Sequence, residues 1–97
     1  MKAISVDGEI LKCPKCDFNH MTQIKTRTFF RDHETSKSGV FASVTRGNVV
    51  VANGQNSNPS QHRDGILITL ICEECGERHN LAIVQHKGQT MIYWVAR

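Results

Sequence analysis

LKCPKC at residues 11–16 and ICEECG at residues 71–76 decide how this 97-residue chain has to fold. Each carries two cysteines with two residues between them, Cys13 with Cys16 and Cys72 with Cys75. A C-x2-C turn sets two thiolates along one edge of a tetrahedron, and two such turns supply the four soft ligands that zinc prefers. A knuckle of this kind needs a positive φ just after its second cysteine. Gly76 adopts one without steric cost, and Asp17 holds the equivalent place in the first turn, where Asp is among the better-tolerated side chains. Pro14 stiffens that first turn.

Residues 17–71, 55 in all, separate the two pairs, against about 15–20 in the commoner zinc spacing. Closing a longer loop costs about 0.6 kcal/mol per doubling, so the excess amounts to on the order of 1 kcal/mol. Structural zinc contributes roughly 10–16 kcal/mol to the folding of small domains. The metal wins, and Cys13, Cys16, Cys72 and Cys75 are the expected ligands. A redox C-x-x-C would want a thiol at a helix N-terminus, and neither pair precedes a helical pattern. His20 and His79 each follow a cysteine by four residues. Four thiolates already close the tetrahedron, so both histidines are expected to begin outgoing strands. Iron fits a four-thiolate site as well, so the ligands are better determined than the metal.

The two stretches resemble the zinc-ribbon class, in which two knuckles at hairpin tips clamp one zinc. More loosely, NPSQHRDG (residues 58–65), ICEECG, QHKGQT (residues 85–90) and Tyr93-Trp94 resemble small bacterial and prophage-borne zinc-ribbon proteins. That likeness covers about half of the chain. It implies a metal-held fold and no particular activity.

Around the knuckles the chain is patterned for strands. Residues 22–30 alternate with period two and are rich in Thr and aromatics. Residues 40–46 and 49–53 are β-branched runs about Gly47-Asn48, and residues 81–86 and 89–95 flank Lys87-Gly88, giving two hairpins. The continuous apolar run 66–71 suits a central strand. Residues 32–39 and 53–65 lack periodicity and mark loops, the second rich enough in Gly, Asn, Ser and Pro to be mobile. The expected fold is therefore all-β, a single zinc-ribbon domain over residues 1–97. Its three-stranded antiparallel sheet uses 66–71, 79–86 and 89–96, with a first knuckle hairpin around 9–31. A hairpin at 40–53 is inserted between loops within about 32–65.

Size and charge narrow the function. The chain is 39% hydrophobic with one Trp, one Tyr and four Phe, enough for a thin core. A formal charge of +3 is compatible with a polyanion without requiring one. No apolar run approaches the ~18–20 residues of a membrane span, and residues 1–8 hold no signal-like stretch, so a cytoplasmic location is expected. Catalysis is not expected. A zinc deaminase wants H-x-E followed by P-C-x-x-C, whereas Pro14 follows Cys13. His33-Glu34 lacks the second histidine of H-E-x-x-H, no Gly-rich phosphate loop is present, and the ββα unit of an HNH nuclease has no helix to use.

Two binding surfaces suggest themselves. Lys25, Arg27, Phe29 and Arg31 share one face of their strand and would suit DNA or RNA, with Lys12, Lys15, Arg63, Arg78 and Lys87 extending the patch. In the C-terminal hairpin Leu81, Ile83, Ile92 and Trp94 occupy one face and Ala82, Val84, Met91 and Tyr93 the other. Both are apolar. The second face is expected to pack under the 40–53 hairpin, or else to meet a protein partner or a second copy through Met91 and Tyr93. The latter would suit an inhibitory module of a phage or mobile element.

Overall fold

The computed structural model describes residues 3–95, and among them there is no helix. Eight strands form: β1 (Val6–Asp7), β2 (Ile10–Leu11), β3 (Met21–Arg31), β4 (Gly39–Thr45), β5 (Asn48–Asn53), β6 (Gly65–Cys72), β7 (Arg78–His86) and β8 (Gln89–Trp94). The first two make a small antiparallel hairpin, and the other six form one antiparallel sheet in the order β5-β4-β3-β6-β7-β8. The expected three-stranded sheet is thus part of a six-stranded one.

The reason lies in the length of β3. Its 11 residues give β6 a partner along one edge and leave the other edge free from Lys25 to Arg31, where β4 pairs. The 40–53 hairpin therefore continues the sheet sideways and covers neither face of it. The first knuckle is likewise not part of a hairpin with β3, because β2 pairs back to β1 through Val6 with Leu11 and Asp7 with Ile10. The C-terminal hairpin has the expected register, from Leu81 opposite Trp94 to Val84 opposite Met91. Lys87 and Gly88 both adopt positive φ, as a two-residue turn matched to strand twist demands. The end of the expected 89–96 strand lies partly outside the described residues. The sheet strand itself stops at Trp94.

Pairing across the sheet sorts the side chains onto two unlike faces. On one, Ala52-Phe41-Phe29-Gly65-Val84-Met91 and Val50-Ser43-Arg27-Leu67-Ala82-Tyr93 run edge to edge. This face holds the core: Phe29, Leu67, Ala82 and Val84 are buried, with Phe41, Met91 and Tyr93 packed on them and the Phe29 and Phe41 rings stacked 5.7 Å apart. The segment between β5 and β6 lies across it. Asn58 and Pro59 rest so close on Gly65 that a Cβ there would meet Asn58 Oδ1 at 2.6 Å, and Ser60 donates to the Gln85 carbonyl.

That segment, expected to be mobile, is instead tied down. Asn58 donates to Gln55 Oε1 and to the Arg63 carbonyl, and its own Oδ1 accepts from the Ser60 amide. Gln55 and Ser60 are buried. The strongest tie is Arg31. Its Nε donates to the Arg63 carbonyl at 2.8 Å and its two Nη groups to the carbonyls of Ser60 and Ser36, while its backbone amide donates to Asp64 Oδ1. One guanidinium fork thereby closes both loops over the end of the sheet.

Lysine cannot reproduce three donors in a fixed plane. Arg31→Lys should cost about 2–3 kcal/mol in urea unfolding and open residues 32–38 and 54–64 to limited proteolysis at low protease concentration.

Candidate metal centre

The two C-x2-C turns come together through the sheet. Cys72 ends β6 opposite Met21, the first residue of β3, so the second knuckle grows from the sheet's end and the first meets it from the preceding segment. The local hydrogen bonds repeat. The Asp17 amide donates to the Cys13 carbonyl and Gly76 to that of Cys72, while Cys13 donates to Phe18 and Cys72 to Glu77. Asp17 (φ 66°) and Gly76 (φ 71°) carry the positive φ expected of them. Lys15 spans the knuckles to Glu77 at 2.6 Å, and Lys12 pairs with Asp17 at 3.0 Å. Both bridges are exposed enough to add little stability.

The four sulfurs lie within 4.8 Å of one another and could hold a metal ion. Cys13 Sγ stands 3.8 Å from Cys75 Sγ and Cys16 Sγ 3.5 Å from Cys72 Sγ. A Zn–S bond of about 2.3 Å implies a tetrahedral edge of about 3.8 Å, so the contacts between knuckles already have the length a shared metal requires. All four cysteines are free, and the sulfur pairs are far beyond disulfide length. Backbone amides point at the sulfurs, as from Lys15 to Cys13 at 3.4 Å.

In the thiol form these groups titrate far apart. The Cys75 and Glu74 amides, outweighing desolvation, bring Cys72 down to about 7. At Cys16 the Phe18 amide pulls down, but desolvation and the neighbouring thiols carry the value up to about 12. At Cys75 the Glu77 amide is likewise outweighed by desolvation and by its bonds to Cys72 and Cys13, and the pKa rises.

His79 Nε2 lies 3.6 Å from Cys13 Sγ, and the ring meets Trp94 edge-on at 5.9 Å between centroids. It belongs to the shell that orients a sulfur. His20 packs beside Phe18, and its carbonyl accepts from the Glu73 amide, linking the strand start to the second knuckle. No family model, curated protein or solved structure matches this chain.

Of the cationic surface expected along β3, only Lys25 and Arg27 stand open together. Phe29 is 1% exposed and belongs to the core, because its side of the strand is the side the β5–β6 segment covers. Arg31 is occupied with three loop carbonyls. Lys12, Lys15 and Arg63 each face an acid. Lys25 and Arg27 do stand together, lining a hollow of about 340 Å³ with Phe41, Ser43, Asn53 and Asn56. Met91 and Tyr93 line a smaller hollow beneath residues 59–62, so they too lie under the chain's own cover.

A metal that takes these thiols must displace protons from at least Cys16 and Cys75 at pH 8, and from Cys72 as well below its value of about 7. Apparent metal affinity should therefore fall by at least about a hundredfold for each unit by which the pH is lowered, and more steeply below pH 7, where Cys72 is protonated too. Titration against a chromophoric chelator between pH 6 and 8.5 measures this slope.

Proposed function

We propose that this chain is a zinc-clamped, non-enzymatic module whose task is to bind another protein through one face of its sheet. The zinc part is supported by the all-thiolate donor set and by sulfur separations close to a tetrahedral edge. Four cysteine ligands leave no open position for substrate or water, which suits a structural ion. The resemblance of LKCPKC and ICEECG to zinc-ribbon knuckles agrees with it. Elemental analysis of protein purified without added metal should return one zinc per chain. Iron in its place would replace the identity and keep the ligands, and neither metal would end the proposal.

The observation that carries the binding part is the sheet face opposite the core. Val51-Ala42-Thr28-Ile66-Ile83-Ile92 and Val49-Val44-Thr26-Ile68-Leu81-Trp94 cross all six strands on that side. Ten of these twelve positions are apolar, two are Thr, and none is charged, in a chain that is 22% charged. Val49 is 65% exposed and Val51 66%, and Phe30 and Val40 at the head of the next row stand open beside them. Monomeric soluble proteins rarely leave such a continuous apolar surface without use.

Nucleic-acid binding is the second reading, and the hollow holding Lys25 and Arg27 is what favours it. Arg27 Nε is buried without a hydrogen-bond partner, as an anion-seeking group would be. Two phosphate contacts would give a log–log salt slope of only about −1.4 to −1.8.

A photo-crosslinking side chain at position 92 or at position 25, introduced in cells that express the protein, separates the readings. Protein adducts at 92 in large excess over 25 are expected. Nucleic-acid adducts at 25 with none at 92 would reverse the assignment.

A further inference from the structure

The architecture of the sheet bears on what occupies the open face. The sheet is a single layer. Its core face is covered by residues 54–64, while the hairpin expected to cover the other face lies beside it in the same plane. The buried cluster on the covered side amounts to Phe29, Leu67, Ala82 and Val84, very little for a six-stranded sheet. Stable domains place a second layer against such a face. Among the described residues, the only cover on the open face is at its knuckle end, where Leu70 and Trp94 are buried beside His79.

We propose that a second copy of this chain supplies the missing layer, the two open faces packing into a β-sandwich. The inference rests on the reading of the open face as a docking surface. Three properties of the face favour an identical copy over a different partner. The first is area. Six strands about 4.8 Å apart span about 29 Å, and three rows of side chains cover about 20 Å along the strands, giving on the order of 600 Å² per copy. Two copies reach about 1,200 Å², the lower bound for a standard stable interface.

The second is charge. A two-fold contact brings each patch against itself, so any charge on it would meet its own kind. The twelve row positions carry none. Two charged groups border the patch: Asp64 in the third row, beside Thr28, Ile66 and Ile83, its carboxylate accepting the Arg31 amide, and the turn residue Arg46 beside Thr26 and Val44. The third is shape. Ten of the twelve positions are Val, Ile, Ala or Thr, small and β-branched or short, with Leu81 and the already buried Trp94 at the knuckle end, and two equal sheets of such residues interdigitate about 10 Å apart with strands near −30°. Homodimer interfaces are also the more apolar class.

Light scattering coupled to gel filtration tests this on the full zinc-loaded chain. Wild type is expected to be a dimer at about 10–100 µM. Val51→Lys and Ile92→Lys, at positions already exposed within the chain, should keep their metal content and far-ultraviolet spectrum. Each is expected to raise the dimer dissociation constant at least about a hundredfold, since a two-fold interface buries each new charge twice. Val50→Lys changes the same edge strand on the opposite face and should leave the dimer intact. A wild type that is monomeric throughout this range overturns the proposal, and so does a dimer that survives both open-face changes. If Val50→Lys disrupts the dimer as strongly as Val51→Lys, the copies meet edge to edge along β5 and the sandwich is wrong. A monomer whose residue 92 crosslinks to some other protein removes the second copy and leaves the docking face standing. A monomer with no adduct there removes both.

Discussion

Four thiols meeting at one point could, through a shared metal ion, join parts of the chain that little else connects. Residues 13–16 precede β3 and residues 72–75 follow β6, and between them lies most of the sheet. The N-terminal segment contributes only the short β1–β2 hairpin, with exposed Val6 and Ile10, and buries little of its own. Its attachment depends on the sulfurs and on the few hydrogen bonds around them. A metal ion in that position joins distant parts of the chain for a small loop-closure cost, because that cost grows only logarithmically with length. The amides aimed at the sulfurs and the His79 ring beside Cys13 would orient the ligands of such a clamp.

At the far end of the sheet a different device does similar work. Arg31 gathers carbonyls from two loops into one planar fork, and Asp64 takes the Arg31 amide. These loops carry buried polar residues that would be costly if left unbonded. They are satisfied by Asn58, Ser60 and Gln55 bonding among themselves and to the strands. The cover over the core face is therefore a polar lattice seated on Gly65, where any larger side chain would collide with it. A charged residue on a strand can serve as part of the frame as readily as it can serve a ligand.

The contrast between the faces sets the character of the molecule. One is filled by aromatic and aliphatic side chains under a fixed segment, with Arg31 bound into the loops while Lys25 and Arg27 line a hollow. The other offers an uncharged aliphatic plane to whatever is large and flat enough to cover it. Among the described residues no helix is long and apolar enough to cross a membrane. An aliphatic plane on a sheet that is otherwise well hydrogen-bonded is better suited to a partner of matching flatness than to a small molecule.

The sequence by itself determined strands β3 to β8, the C-terminal hairpin register and the cysteine cluster. These follow from local rules: period-two alternation, turn residues with positive φ, and the fixed bite of C-x2-C. It also placed Ile66–Ile71 centrally, since a continuous apolar run suits the inside of a sheet better than its rim. What it could not decide was which edge the 40–53 hairpin would join, because β-branched residues on both faces suit a covering layer and a sheet extension equally. Nor could period two reveal the irregularity between Gln23 and Lys25, which turns Gln23 to the side of Thr26 and bonds them at 3.1 Å. Phe29 and Arg31 looked like surface groups for the same reason. Alternation tells which residues share a face, but only tertiary structure decides which face is covered, because the cover comes from residues 54–64, about thirty positions away along the chain.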